Sequence, residues 1–470
     1  MSFGFAFALP ALVNYGGGGN NPFGQLGPTL SLAFADGATG VTDVSNPNGY
    51  TLNTNFITPE YQVAAQYAIW EANVGLVSKN FSDIITFSRA STATYFDATG
   101  TLTTAASGAP RFDYDPSTLL PRGFLIEEQR VNSIRNNTMV GASAGVAPTN
   151  WTQWNVTVNG VTIASSAAGT ENGIAYIDVA VSGTCTLSGT AQTPAFESTT
   201  QIAATIGQTW TESVYWTLVS GSLADSSFSI RITETDAGGT SLVSGDGTTI
   251  FPAVGNLRSA RYTHTRTLTN ASTAFVVPRL RFGFVNGTTY SFTLRVGLPQ
   301  MEQGAFATSV IPTSTVAVTR SADVASVNTL SPWYNQSEGT VYAESAVFSV
   351  NTQTQLVWQV LGGADSTSLR SPQGTGARLR ATVGNTFSGA STGPTITNNT
   401  PIKSAVAWQG LSGRLQSGAI GEDITAATTV SATQLNIGNL AGGSFLNGYL
   451  RRIDYYPRRL SNADLQAITT

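Results

Sequence analysis

The chain has 470 residues, of which 41% are hydrophobic and 11% are charged, and its net charge at pH 7 is −4. The charged fraction is less than half the ~25% typical of globular proteins. The hydrophobic fraction is nevertheless too high for a disordered chain, which predicts a folded protein rich in β-structure. A negative charge balance argues against nucleic acid as a partner, because phosphate binding requires a basic surface.

Residues 1–84 predict an N-terminal docking segment that lacks a core of its own. Thr58 and Pro59 mark the start of one helix, whose apolar face is predicted over residues 60–72. No Lys or Arg precedes Lys79, so the opening residues lack the basic region of a signal peptide. We expect synthesis in the cytoplasm and no membrane insertion, because no stretch of about 18 apolar residues occurs.

Residues 85–136 contain short alternating runs that predict paired strands. Residues 93–97 and 101–106 are expected to form a hairpin around a turn at residues 97–100. Asp113 and Asp115 precede a proline, which favours a turn capped by Asp side chains. Residues 123–126 are expected to form a short buried strand.

The charged residues of this stretch could form a catalytic carboxylate pair, a calcium site or a structural ion-pair network. They are Arg111, Asp113, Asp115, Arg122, Glu127, Glu128 and Arg130. The charges occur as balanced local pairs, and the residue spacing of a calcium-binding loop is absent. The pattern therefore favours a structural network.

The stretch from Ile85 to Asn137 resembles a motif that recurs in tail-fibre and other virion proteins of tailed bacteriophages. The matching segments are F-x-R-x-S-x-A-T-Y at 87–95, D-x-x-G at 97–100, P-R-F-D-Y-D-P at 110–116 and G-F-L-I-E-E-Q-R-x-N at 123–132. Phe124 stands where leucine is usual. The resemblance implies a virion protein, and it implies that a carbohydrate-binding-type jelly roll follows. We call residues 85–136 the cassette.

Residues 137–312 alternate apolar and polar side chains in runs that Gly, Asn, Asp and Ser interrupt every 8–15 residues, which predicts a sandwich or jelly roll. From Leu298 to Asp323 the sequence resembles the closing strand and exit linker of the carbohydrate-binding-type jelly rolls of such phage proteins. The shared phrase is E-x-G-x-F-A-T-S-x-I-P-T, beginning at Glu302. A linker is predicted over residues 313–332, at which the two β domains should be separable by proteolysis.

Residues 333–470 resume the strand pattern and end like a concanavalin A-like (laminin-G-like) sandwich. Gly448, Leu450, Ile453 and Tyr456 fit the last strand of that resemblance, and Ser461 is the expected cap of a terminal helix. The predicted fold class is therefore all-β and multi-domain. It comprises two jelly-roll or β-sandwich domains after an irregular N-terminal docking segment with one helix.

Three tryptophans are the candidate ligand-binding residues. Trp151, Trp154 and Trp333 flank turns, and exposed aromatic faces there could stack on sugar rings; the alternative is that they belong to the core. Cys185 and His264 are the only cysteine and histidine, so neither an intrachain disulfide nor a zinc cluster is expected. No catalytic residue, metal site or cofactor is predicted.

These features predict a structural component of a tailed-phage virion, made in the host cytoplasm. The favoured role is a tail fibre or receptor-binding protein that contacts host cell-surface polysaccharide. We expect a homo-oligomer, preferably a trimer, which contacts other virion proteins through its N-terminal segment. A capsid decoration or head-fibre protein is the first alternative. A glycan depolymerase is the second, because such enzymes usually resemble long β-helices and no such repeat is visible.

Overall fold

The computed structural model describes residues 30–33, 67–71, 75–331, 333–350, 354–371, 379–387, 394–440 and 443–470. The prediction of an all-β, multi-domain fold is confirmed: the described residues form 34 strands and two short α-helices. Most strands belong to two β-sandwiches. We call them the central sandwich, whose strands lie within residues 156–303, and the C-terminal sandwich, whose strands come mainly from residues 324–456.

The elements before the central sandwich are short. They are β1 (Leu30–Ala33), β2 (Tyr67–Glu71), β3 (Gly75–Lys79), α1 (Phe81–Ile84), β4 (Thr86–Ser88), β5 (Ala93–Phe96), β6 (Leu102–Ala105), β7 (Phe112–Tyr114), β8 (Pro121–Ile126) and β9 (Arg130–Asn132). The predicted turn between β5 and β6 is confirmed. Asp97 Oδ1 closes it by accepting from the backbone N–H of Thr99 at 2.9 Å and of Thr101 at 3.0 Å. The turn after β7 is capped by Asp115, as predicted.

The central sandwich packs a six-stranded sheet on a five-stranded sheet. Its strands are β10 (Val156–Val158), β11 (Val161–Glu171), β12 (Ile174–Thr184), β13 (Ala191–Gln192), β14 (Ile202–Ala203), β15 (Thr209–Gly221), β16 (Ser226–Thr235), β17 (Ser241–Asp246), β18 (Arg261–Thr267), β19 (Phe275–Phe284) and β20 (Thr289–Gln303). The sheet orders are β10-β11-β12-β20-β15-β18 and β13-β19-β16-β17, with β14 beside β19. Trp216, Phe228 and Phe282 interlock between the sheets with ring centroids 5.5–5.7 Å apart, a spacing typical of packed aromatic cores.

The C-terminal sandwich packs a ten-stranded sheet on a seven-stranded sheet. The elements from residue 318 onward are β21 (Val318–Arg320), β22 (Val324–Val327), β23 (Glu338–Val347), β24 (Gln355–Gly362), β25 (Asp365–Ser371), β26 (Arg380–Val383), β27 (Thr386–Phe387), β28 (Ile402–Gln409), β29 (Ser412–Ser417), β30 (Ile420–Thr425), β31 (Gln434–Ile437), β32 (Asn439–Leu440), β33 (Gly443–Phe445), β34 (Gly448–Tyr456) and α2 (Asn462–Thr469). The larger sheet runs β3-β2-β1-β34-β23-β28-β29-β30, with β8 and β7 beside β34, and the smaller runs β27-β26-β25-β24-β31-β22-β4.

The cassette is part of both sandwiches and not a separate domain. Strand β4 is part of the smaller sheet of the C-terminal sandwich, and β8 is part of the larger one. Phe124 and Ile126 of β8 are fully buried in the core of this sandwich. The β5–β6 hairpin packs instead on the outer face of the central sandwich, where Phe96 lies in a cluster with Tyr215 and Leu257. Tyr215 of β15 is thereby buried on the face opposite Val214 and Trp216, which lie in the core of the central sandwich. The cassette therefore bridges the two sandwiches.

The predicted N-terminal helix is wrong at Tyr67–Glu71, the part of it that lies within the described residues; residues 60–66 lie outside them. Tyr67–Glu71 form β2, which pairs antiparallel with β1 on one side and β3 on the other, and β1 pairs with β34. Pairing on both sides satisfies the backbone N–H and C=O groups of β2, which outweighs the helical spacing of its sequence. The described part of segment 1–84 thus extends the C-terminal sandwich.

The predicted linker over residues 313–332 is not a free connection. Strand β21 pairs with β9 of the cassette, and β22 pairs with both β31 and β4. Thr313, Arg320 and Asp323 are buried, whereas the residues 314–317 between them are exposed. Cleavage in this segment is therefore not expected to separate the sandwiches by itself, because the segment is paired and anchored on both sides of one short exposed loop.

The end of the chain forms as predicted. Strand β34 contains Gly448, Leu450, Ile453 and Tyr456, and Ser461 Oγ caps α2 by accepting from the Asp464 N–H at 3.2 Å. Leu465 and Ile468 of α2 pack on the outer face of the large sheet. No helix among the described residues is long and apolar enough to cross a membrane.

Candidate functional site

A buried cluster of charged side chains joins the cassette to both sandwiches, and Arg111 lies at its centre. Arg111 Nη2 donates to Glu127 Oε2 at 2.8 Å and to Asp323 Oδ2 at 2.5 Å. Its Nη1 donates to the Thr94 carbonyl oxygen at 2.9 Å and to Ser309 Oγ at 2.8 Å. One fully buried guanidinium thus holds groups from four other segments of the chain in fixed positions.

Two further arginines complete the cluster. Arg89 Nη1 donates to Asp323 Oδ1 at 3.0 Å, and Arg320 Nη1 donates to Glu127 Oε2. The side chains are 0–1% exposed, so solvent does not screen these charges. We call the five residues the ion cluster: Arg89, Arg111, Glu127, Arg320 and Asp323. It contains three positive and two negative groups.

Glu127 is the carboxylate with the most hydrogen bonds in the ion cluster. Besides the two arginines, Ser309 donates its N–H to Oε1 at 2.7 Å and its hydroxyl to Oε2 at 2.6 Å. Burial raises the pKa of Glu127, but the charges of Arg320 and Arg111 and the bonds from Ser309 outweigh burial and lower it from 4.5 to about 2. Glu127 is therefore ionised at neutral pH despite its burial.

The prediction of a structural ion-pair network in the cassette is confirmed. The local pairs Arg111–Glu127, Arg122–Asp115 and Arg130–Glu128 all form, at 2.6–2.8 Å. No group of three or more His, Cys, Asp or Glu side chains suited to a metal ion occurs among the described residues. Sequence reasoning missed Arg320 and Asp323, which lie in the predicted linker, and it assigned no partner to Arg89.

The segment of residues 302–313, which carries the E-x-G-x-F-A-T-S-x-I-P-T phrase at the end of the central sandwich, supplies further contacts to the cassette. Ser309 of this phrase enters the ion cluster, and the ring of Phe306 lies 4.8 Å below the guanidinium of Arg130. Glu302 fixes the conformation of this segment, because it accepts hydrogen bonds from the Thr308 N–H at 3.0 Å and from the Thr308 hydroxyl at 2.5 Å. The cassette and the phrase are thus two halves of one interface, which gives a physical reason for both sequence patterns.

Trp151, Trp154 and Trp333, the candidate sugar-stacking residues, are only 7%, 6% and 1% exposed, so the structure agrees with the alternative that they belong to the core. Trp151 and Trp154 pack against Phe196, with ring centroids 4.8 and 5.8 Å away, and Trp333 packs against Tyr455 at 5.4 Å. Each indole N–H donates to a backbone carbonyl, at 2.8–2.9 Å, so burial leaves no donor unpaired. All three are core residues, and none presents a free face to a sugar.

An open cleft of about 1080 Å³ lies where the cassette and the two sandwiches meet. Residues 128–131 and Ser133 of the cassette form its floor. Residues 206–210 and 303–304 form the wall on the central sandwich. Residues 354–355, 444–445 and Asn447 form the wall on the C-terminal sandwich. We call this the inter-sandwich cleft; no sequence pattern indicated it, because its residues come from five separate stretches of the chain.

The floor of the cleft is tied to both walls. Arg130 Nη1 donates to the Gln303 carbonyl oxygen, and its Nη2 lies 2.6 Å from Glu128 Oε1. Glu128 in turn binds Asn447 twice, through its N–H at 2.8 Å and through Oε2 at 3.1 Å. Gly304, at φ +149°, lies directly against Arg130, and a side chain there would overlap the guanidinium. The floor of the cleft is therefore fixed relative to both walls.

Proteolysis is expected to nick the chain at residues 314–317 without separating the sandwiches. This loop is exposed, but Thr313 and Arg320 on either side are anchored by hydrogen bonds. Size-exclusion chromatography of the nicked protein should give a single peak in native buffer, with two fragments on a denaturing gel. Two separate native peaks would contradict the anchoring described here.

No protein-family model matches the chain, and no curated protein matches it. Solved structures similar to it include three of Trypanosoma rangeli sialidase. A mutant displaying trans-sialidase activity is 15% identical over 29% of this chain, with a TM-score of 0.22, and the match spans only 24% of that protein. The complex with the inhibitor DANA is 8% identical over 67% of this chain and 69% of that one, with a TM-score of 0.26. The sialidase itself is 10% identical over 86% and 78%, also with a TM-score of 0.26. Similarity at this level carries no argument about activity.

Proposed function

We propose that the chain is a structural component of a tailed-phage virion, namely a tail fibre or receptor-binding protein that contacts a host surface polysaccharide. The observation that carries the proposal is the cassette of residues 85–136, whose sequence resembles the motif of such virion proteins. Its charged residues form internal ion pairs. This supports a role in joining domains.

The way the sandwiches are joined supports a binding role. A receptor-binding protein gains affinity when its ligand-contacting surfaces are held in place before binding, because less conformational freedom is then lost. The ion cluster and the paired strand β21 hold the two sandwiches in this way. In the proposed assembly the chain forms a homo-oligomer, with a trimer preferred, and segment 1–84 contacts other virion proteins.

Adsorption of phage particles to host cells tests the proposal. Particles lacking the chain should lose most of their adsorption to the host, and adding back the gene should restore it. Cryo-electron microscopy with a labelled antibody should locate the chain on the tail.

Two other outcomes would replace the proposal. Normal adsorption combined with labelling over the head would favour a capsid decoration or head-fibre protein. Release of oligosaccharide fragments from host polysaccharide by the purified chain would favour a glycan depolymerase.

A further inference from the structure

We infer that the inter-sandwich cleft binds a segment of a neutral oligosaccharide, without cleaving it. The inference rests on the proposed function, because it names the site and the class of polysaccharide that the receptor-binding protein would contact. Four properties of the cleft carry it: its size and position, its charge, its polar groups and its apolar groups.

The size and position of the cleft suit an extended ligand. Its volume of about 1080 Å³ lies just above the ~300–1,000 Å³ range typical of small-molecule pockets. The cleft is an open trough between two domains, a common location for ligand sites. An open trough admits an internal segment of a polymer, whereas a closed pocket admits only a chain end or a small molecule.

The charge of the cleft points to a neutral ligand. Its described lining contains one carboxylate and one guanidinium, Glu128 and Arg130, and they neutralise each other at 2.6 Å. The guanidinium is also stacked on Phe306 and bound to a carbonyl oxygen, so it is not available to an anion. An acidic polysaccharide needs arginine or lysine groups that can pair with its carboxylates or sulfates. The described lining offers none.

The polar groups that face the cleft are amides and hydroxyls, which suit sugar hydroxyls because an amide both donates and accepts. Gln129, Gln208 and Gln303 line it, and none of their side-chain NH₂ groups has a hydrogen-bond partner among the described residues. Gln208 is also fixed in orientation. Its Oε1 accepts from Trp210 Nε1 and from the Thr205 N–H, both at 3.1 Å, so its Nε2 donors are held ready for a ligand.

Apolar groups lie beside these amides. Ile206 and Val131 are 53% and 39% exposed, on the wall and floor of the cleft, and Phe445 lies half-buried on the opposite wall. Sugar rings have C–H faces that pack on apolar side chains while their hydroxyls bond to amides. Exposed apolar groups and amide groups in the lining of one trough match that amphipathic ligand better than they match a peptide or a lipid.

Binding without cleavage follows from the carboxylates. The usual glycosidase mechanism needs two carboxylates about 5–10 Å apart, one as acid and one as base or nucleophile. Among the described lining residues only Glu128 carries a carboxylate, and it is committed to Arg130 and Asn447. The cleft therefore holds a sugar chain but lacks this machinery for hydrolysing it.

Titration calorimetry with defined neutral hexasaccharides tests the inference. The probes are hexasaccharides of glucose, mannose and galactose, with hexagalacturonate as the acidic comparison. The chain should bind at least one neutral probe and should bind hexagalacturonate more weakly. Gln129→Trp, which fills the floor, should lower the affinity at least tenfold. Gln208→Glu keeps the acceptor for Trp210 but removes the donors, and it should lower the affinity about fivefold or more.

The matched controls are Gln201→Trp and Gln201→Glu, since Gln201 is exposed on the central sandwich outside the cleft lining. They should bind the neutral probe as the unaltered chain does. The inference is overturned if no neutral probe binds, if hexagalacturonate binds best, if a probe is cleaved, or if the Gln129 and Gln208 variants bind normally.

Adsorption of phage carrying the same variants separates this inference from the proposed function. If particles need the chain for adsorption but Gln129→Trp particles adsorb normally, the cleft assignment fails and the receptor-binding role stands. If the cleft binds a neutral probe in calorimetry but particles lacking the chain adsorb normally, the receptor-binding role fails and the cleft assignment stands.

Discussion

Glu127→Gln is expected to lower the free energy of unfolding by about 3–5 kcal/mol, the range found when one partner of a buried ion pair is removed. The substitution keeps the shape of the side chain but leaves the buried guanidinium groups of Arg89, Arg111 and Arg320 with the single carboxylate of Asp323. The new amide would also direct its NH₂ group towards at least one donor. Urea denaturation at pH 7 measures the loss as a lower midpoint at unchanged slope.

Asp246→Asn is the matched control. Asp246 pairs with Arg231 at 2.5 Å, but its side chain is 39% exposed, so the same loss of a carboxylate should cost at most about 1 kcal/mol. The dependence of stability on acid pH provides a second check. Because the folded-state pKa of Glu127 is depressed, the contribution of Glu127 to the free energy of unfolding is fully present above pH 4.5 and is lost as the pH falls towards about 2. Equal urea midpoints for Glu127→Gln and Asp246→Asn would contradict the expectation that the buried ion cluster stabilises the protein more than the exposed ion pair of Asp246 does.

The local half of the site could be predicted from the sequence, and the distant half could not. Arg111 and Glu127 lie 16 positions apart, both within the stretch whose balanced charges predicted an ion-pair network, although the pattern did not specify which groups pair. Asp323 lies 212 positions from Arg111, beyond the whole central sandwich. Its role depends on how β21 and β22 return to the cassette, and a sequence pattern of single strands does not specify that return.

Burial was predicted less well than strand position. Turn signals beside Trp151 and Trp154 left both exposure and burial open, and Phe196, more than 40 positions later in the chain, covers both rings. Tyr67–Glu71 fit the helical spacing of residues 60–72, but their pairing with the neighbouring strands β1 and β3 makes them a strand. In both cases the deciding contact is long-range, which is why local periodicity was insufficient. The inter-sandwich cleft could not be predicted for the same reason, because its lining residues lie far apart in the sequence.

Glu212→Gln is expected to stabilise the protein at neutral pH and to reduce the pH dependence of its stability. Glu212 is fully buried within the central sandwich; its Oε2 accepts from the Arg279 N–H at 3.2 Å, and its Oε1 has no partner among the described residues. Burial raises the pKa of Glu212 well above 4.5, more than the bond and charge of Arg279 lower it. The folded protein therefore keeps a proton there that the unfolded chain releases.

The sign of the effect follows from that difference in proton binding. The contribution of Glu212 to the free energy of unfolding is fully present below pH 4.5, and it falls by about 1.4 kcal/mol per pH unit as the pH rises towards the folded-state pKa. Urea midpoints measured from pH 4.5 to 8 should decline less steeply for Glu212→Gln than for the unaltered protein.

Glu234→Gln is the control of opposite sign. Burial raises the pKa of Glu234, but hydrogen bonds from Thr273, Asn270 and Arg266 lower it to about 2, so this variant should be less stable at neutral pH. Parallel pH profiles for Glu212→Gln and the unaltered protein would mean that Glu212 is already ionised in the folded state.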